Sequence, residues 1–243
     1  MEVFQSQLVV DNSKAKGEAE MKNTKPYLAR TESFEIESPI VSVETVSTDV
    51  SIIESLDDKV HLEILGASEE AKEFAKLIIV IVKDRKISVR TEKQQSGFLG
   101  LFRGRSLELE IVLRLPKKSE LTVRTVSGDV DVEVALISNQ INSVSGDLTV
   151  LQNPATFCKL KTVSGDISAR AFSGCRYSLK SVSGDISVHV APNLVISVDG
   201  SSMSGDLLSE IPLDAREDSS SEKVGSVEID ARTISGDFIL ARN

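Results

Sequence analysis

No tryptophan occurs in the 243 residues, and aromatic side chains make up only 4%. Positive charge is also scarce: 28 Lys and Arg face 37 Asp and Glu, a net charge of −9. A chain short of both cations and stacking rings lacks what nucleic-acid binding draws on, so no nucleic-acid partner is expected. The longest apolar run, Leu77 to Val82, falls far short of the roughly 20 residues that span a bilayer as a helix. The opening stretch MEVFQSQLVVDNSKAKGEAE has no basic start followed by an apolar segment, the form a secretory signal takes. The expectation is a cytoplasmic protein with no direct membrane insertion, with peripheral membrane association through a partner left open. Cys158 and Cys175 are the only cysteines, too few for a disulfide framework, and are expected as buried free thiols.

What the chain does have is Val, Ile and Leu in quantity, with 34 Ser and 16 Asp. The length fits one large domain or two small ones. An aliphatic, β-branched core suits strands. Ser-Gly-Asp occurs six times, with its glycine at Gly128, Gly146, Gly165, Gly184, Gly205 and Gly236. Chance would supply about 0.13 copies, so this is a true period. Each copy follows Ser or Thr and then Val, Met or Ile, and precedes Val, Leu, Ile or Phe. The glycines are 18, 19, 19, 21 and 31 residues apart, and a degenerate copy runs from Thr45 to Val50.

That period is too short for a helical pair, and the local pattern alternates. In Val182 to Val190 the apolar residues fall at every second position with Gly184 in phase, while Ser183, Asp185, Ser187 and His189 share the other face. Tyr177 and Leu179 are out of step with Val182, so a bend near Lys180-Ser181 resets the phase. Each repeat therefore reads as two short strands and a corner, stacked at ~4.8 Å into a β-solenoid. Residues 1–32 read as a polar N-terminal arm, partly disordered, with a short strand at Leu8 to Val10. Residues 33–243 read as one domain, of which 33–124 hold non-repeating strands and 125–243 the rungs. The strands of the first part are Ile40 to Val46, Val60 to Leu65, the hairpin Leu77 to Val82 with Ile87 to Thr91, and Leu107 to Leu115. One helix is expected over Glu69 to Lys76 with Ser68 as N-cap. The acidic, Ser-rich stretch Asp214 to Lys223 reads as a surface loop before the last rung, Ile234 to Leu240.

The run Phe34-Glu35-Ile36, the strand-rich opening, one short helix and then rungs of [Ser/Thr]-Val-Ser-Gly-Asp-[Val/Ile] together resemble the bacterial putative-adhesin family of unknown function, whose solenoid is called the toast-rack domain. The resemblance covers about residues 33–243. It implies an all-β, single right-handed β-solenoid with ~19-residue rungs, no established catalytic activity, and a setting in cell-envelope or envelope-stress processes.

Stacked rungs would put Asp129, Asp147, Asp166, Asp185 and Asp206 in a column, with neighbours repelling by roughly 1 kcal/mol in water. Two readings offset that repulsion. Each carboxylate accepts backbone N–H or Ser hydroxyl bonds at the corner while glycine supplies backbone freedom, or Asp129, Asp147, Asp166 and Asp185 hold a cation such as Ca²⁺. The calcium-binding nine-residue repeat with paired glycines is not present, and no cofactor is expected.

Catalytic signals are weak. His61 and His189 lie on outward phases. Gly200-Ser201-Ser202-Met203-Ser204-Gly205 resembles a nucleophile elbow without its second glycine in place. Gly97 to Arg105 sets Phe98, Leu99, Leu101 and Phe102 among glycines beside two arginines. That loop either folds over the end of the core or docks a partner or membrane surface. The expected role is a non-enzymatic binding or scaffold module with an unknown protein partner or self-association. A self-assembling structural solenoid is the alternative, and a solenoid enzyme acting on polysaccharide a distant third.

Overall fold

The computed structural model describes residues 27–66, 69–91, 109–152, 156–211 and 225–242. In chain order the elements are β1 (Tyr27–Phe34), β2 (Ile40–Glu44), β3 (Asp49–Glu54), β4 (Val60–Gly66), α1 (Glu69–Lys76), β5 (Ile78–Lys83), β6 (Lys86–Thr91) and β7 (Leu109–Leu115). The repeats follow as strand pairs: β8 (Glu120–Arg124) with β9 (Val130–Val132), β10 (Ser138–Asn142) with β11 (Leu148–Val150), and β12 (Phe157–Lys161) with β13 (Ile167–Ala171). After these come β14 (Arg176–Lys180) with β15 (Ile186–Val190), β16 (Leu194–Ser201) with β17 (Leu207–Ser209), and β18 (Gly225–Arg232) with β19 (Phe238–Arg242).

Each pair is one rung, giving one strand to each of two sheets and turning a corner between them. The sheet orders are β1-β4-β7-β3-β9-β11-β13-β15-β19-β17 and β16-β18-β14-β12-β10-β8-β2-β6-β5. Within the stack the strands pair in parallel, so the chain is a β-solenoid as the alternation and period imply. Inward positions form continuous columns. Val43, Val123, Ile141, Leu160 and Leu179 lie in register on one sheet, and Val50, Val130, Leu148, Ile167 and Ile186 on the other, all buried. The core holds few rings, and Tyr177 is its largest fully buried side chain.

The rungs do not stack in chain order. The rung β6/β7 lies outside β2/β3, although it comes later in sequence. At the other end β18/β19 sits between β14/β15 and β16/β17. The C-terminal rung, expected at the end of the stack, is therefore interior. The chain reaches past it because Leu194–Ile196 and Gly225–Val227 extend their strands ahead of the register position of Arg176. The Arg242 guanidinium fastens that crossing, donating to the Ala191 carbonyl at 2.6 Å and the Leu194 carbonyl at 3.4 Å.

The first end is closed by antiparallel elements. β1 pairs with β4, β4 with β7, and β5 with β6. Helix α1 packs on β1, β4 and β5 with Ala75 buried. Arg30 on β1 ties the layer down, donating to the Ala75 carbonyl at 3.2 Å and the Ile78 carbonyl at 2.5 Å while pairing with Glu32. The stretch Tyr27 to Glu32, read from sequence as the end of a disordered arm, is thus strand. The helix and the hairpin stand where the pattern put them. The expected strand at Leu8 to Val10, the Ser68 cap and the Asp214 to Lys223 loop lie outside the described residues.

Candidate functional site

Six corners among the described residues are built on the same five-residue pattern. The first, a Ser or Thr, accepts the N–H of the glycine three residues on: Thr125 from Gly128 at 3.0 Å, Ser143 from Gly146 at 2.8 Å, Thr162 from Gly165 at 3.1 Å, and Ser181 from Gly184 at 2.9 Å. The terminal corners repeat this with Ser202 and Thr233. The Ser of five of the six Ser-Gly-Asp copies donates down the stack to a carbonyl, as Ser164 does to Val144 at 3.3 Å and Ser183 to Val163 at 3.2 Å.

The glycines are there for space. A Cβ on Gly146 would lie 2.0 Å from the Gly128 carbonyl oxygen, and one on Gly184 would lie 1.9 Å from that of Gly165. Their backbone angles are outside the left-handed region, so the expectation that glycine supplies conformational freedom is corrected: it supplies the missing side chain. The first corner carries Thr48 instead, and its carbonyl is the one that Gly128 closes on.

The aspartates form the expected column, one rung longer at the start and in a different order at the end. Asp129 N–H donates to Asp49 Oδ1, Asp147 to Asp129, Asp166 to Asp147 and Asp185 to Asp166, at 2.8 to 3.0 Å. Asp237 then donates to Asp185, and Asp206 to Asp237. Each bonded carboxylate satisfies the backbone of the next rung, which offsets the repulsion along the column. The carboxylates come one per rung, and no group of three or more His, Cys, Asp or Glu converges on a common point among the described residues.

The second corner residue turns outward. Val46, Val126, Val144, Val163, Val182 and Ile234 are 40–57% exposed and Met203 is 81% exposed. Alternation put Val182 in phase with the buried positions and the bend near Lys180-Ser181, and the structure corrects both: Tyr177, Leu179 and Ser181 are buried in one phase, and the phase resets after Val182, before Gly184. Seven aliphatic side chains thus run beside seven carboxylates along one edge, over roughly 30 Å at the ~4.8 Å strand spacing. The sequence signal was the Val, Met or Ile that precedes every Ser-Gly-Asp.

The remaining candidates scatter. His61 bridges Ser33 and Asp57, with Nδ1 2.8 Å from Ser33 Oγ and Nε2 2.7 Å from Asp57 Oδ1. The hydrogen bonds from His61 and then Ser55 hold the Asp57 carboxyl down at about 2. This hydroxyl, imidazole and carboxylate set was not legible in the sequence, since its members come from three separate strands and turns. Two concavities flank Glu35 to Ser38, and neither is lined by Ser33 or His61. His189 is half-buried with Nδ1 unpartnered, not freely solvated. Cys158 and Cys175 are buried free thiols, and burial pushes Cys158 well up and Cys175 up to about 12. The Gly200 to Gly205 stretch is the ordinary corner of the β16/β17 rung. Phe98, Leu99, Leu101 and Phe102 lie outside the described residues.

Residues 40–173, and again 133–241, match the family described as Toastrack DUF4097. The chain belongs to this Toastrack family. The two matches overlap over 133–173, as expected when one repeat-built profile fits the same rungs in two registers. Among solved structures, a putative cell adhesion protein from Clostridium sporogenes is similar over 90% of this chain and 100% of its own, at 13% identity and a TM-score of 0.53. A putative adhesin from Bacteroides fragilis is 16% identical over 90% of this chain and 99% of its own, with a TM-score of 0.45. A putative lipid binding protein from Parabacteroides distasonis is 15% identical over 91% and 98%, with a TM-score of 0.39. At such identities the likeness speaks to the fold alone. None of the curated proteins matches the chain.

Proposed function

We propose that this Toastrack chain is a non-enzymatic binding or scaffold module whose contact surface is the solenoid corner, and that it serves cell-envelope processes from the cytoplasmic side, joined to the membrane through a protein partner. The observation that carries the reading is the exposed aliphatic column from Val46 to Met203. Each of these seven corners could turn with a polar residue at that position, yet each one exposes Val, Ile or Met. Contiguous apolar surface of this kind marks interaction sites. The neighbouring carboxylates give the same edge a fixed negative charge, so a partner that covers it presents apolar groups with cations alongside. The description of the Clostridium sporogenes protein as a cell adhesion protein is in keeping with a binding role. No helix among the described residues is long and apolar enough to cross a membrane, which agrees with recruitment through a partner.

Replacing Val144, Val163 and Val182 together by Thr keeps the branched shape and removes the apolar cover. The proposal predicts an unchanged fold by circular dichroism and loss of the protein from the membrane fraction of its native cell. Retention of the triple variant in that fraction, at wild-type level, would overturn it.

A further inference from the structure

The two ends of the solenoid are finished differently. At the first, β1, β4 and α1 cover the inward face, leaving Ala75 and Ile78 buried. At the second, β16 and β17 are last in their sheets, and their outer backbone edges have no strand partner among the described residues. On β17 the inward position lacks cover. Leu207 is 54% exposed, whereas Phe238 and Ile186, which occupy the same column in the two rungs beneath, are 5% and 0% exposed. Leu208 beside it is 51% exposed. Across the core, Gly200 stands in the column of Leu179 and Ala231. A Cβ at Gly200 would lie 2.9 Å from the Phe238 ring, so the ring fills that space from below and the rung has no side chain there. The open end thus has a projecting Leu207 on one sheet and, opposite it on the other, Gly200, which carries no side chain and is backed by the Phe238 ring.

We infer that this end is a self-association surface that takes a second copy of the chain, end to end. A twofold axis running along the strand direction between the two sheets sets β16 of one copy antiparallel to β17 of the other. Gly200 has Phe238 across the core, and Phe238 is in register with Leu207. The same axis therefore sets Leu207 of each copy beside the side-chain-free Gly200 of its partner, and both unpaired edges gain a strand. The sequence that connects this rung to the next, residues 212–224 (PLDAREDSSSEKV), has Leu213, Ala215 and Val224 as its aliphatic residues against six charged ones. Residues 1–26 join the fold at Tyr27, at the opposite end. One rung meeting one rung is small against the roughly 1,000 Å² at which specific interfaces begin, so the dimer is weak and concentration-dependent. Asp199, Asp206 and Glu210 surround the end, so salt strengthens the association by screening them.

Sedimentation velocity of the full chain over a wide concentration range tests this. The expected result is a monomer–dimer equilibrium with micromolar or weaker affinity that tightens as salt is raised. Leu207→Glu weakens it at least tenfold, and Leu207→Ser, which adds no charge, weakens it as well. Leu56→Glu, at a 97% exposed residue on another face, leaves it intact. Urea unfolding of each variant separates loss of association from loss of fold. A monomer at every concentration would overturn the inference, and so would a dimer indifferent to both Leu207 variants. This result is independent of the corner reading, which the membrane-fraction experiment addresses.

Discussion

The carbonyl oxygen of Gly146 lies 2.2 Å from the point that a Cβ on Gly165 would occupy. The obstacle is backbone in the rung beneath, held by parallel pairing on both sides, so it cannot swing away as a side-chain tip would. Gly165→Ala is expected to cost about 3 kcal/mol or more, at or beyond the upper range for overpacking. Gly174→Ala meets the Ser226 carbonyl at 3.0 Å and is expected to cost much less. Urea unfolding of the two variants checks the difference.

Asp166 both donates its N–H to Asp147 and accepts the N–H of Asp185 at 2.9 Å. Asp166→Asn keeps an oxygen in the accepting position and removes one charge from a column of like charges. It is expected to match or exceed the wild type in stability, by a margin that shrinks as salt is added. Asp166→Ala leaves the Asp185 N–H without its acceptor and is expected to cost about 1–2 kcal/mol. Thermal melts at low and high ionic strength distinguish these outcomes.

Asn139 is fully buried between Leu121 and Cys158 in the inward column, and neither of its amide atoms has a hydrogen-bond partner. Removing an unpaired buried amide while keeping the volume relieves a desolvation penalty. Asn139→Leu is expected to raise unfolding stability by about 1 kcal/mol or more, measured by chemical denaturation.

The His61 and Ser55 bonds hold the Asp57 carboxyl at about 2, below its unfolded value near 3.9. Because the folded value is the lower one, this contribution is complete above about pH 4 and is lost as the pH falls toward 2. The carboxyl is solvent-exposed, so the effect is small. Asp57→Asn should flatten the acid limb of the melting curve between pH 4 and 2. Carboxyl NMR titration of the wild type should give the depressed midpoint, and His61→Ala should raise it.

The repeat was legible because six near-identical corners leave no other period to choose, and strand type followed from alternation. The column of aspartates followed from in-register stacking. The order of the rungs was not legible, because parallel pairing joins backbone to backbone and any rung edge fits any other. The interleaved order goes with extra strand length at Leu194–Ile196 and the hold of Arg242 on Ala191, neither of which resembles a motif. The outward turn of Val182 was missed since a period of two carries no information about where a corner inverts it. Ser33, His61 and Asp57 were missed for a plainer reason: only the pairing of β1 with β4 brings Ser33 opposite His61.

The most direct test of the corner as the working surface is site-specific photocrosslinking in the native cell, with the photoreactive residue at position 163 on the aliphatic column or at position 168 on the outer face of β13. The account predicts a discrete crosslinked partner from position 163, absent from position 168 and lost when Val144 and Val182 are changed to Thr. Equal crosslinking from both positions, or a partner trapped from position 168 alone, would contradict it.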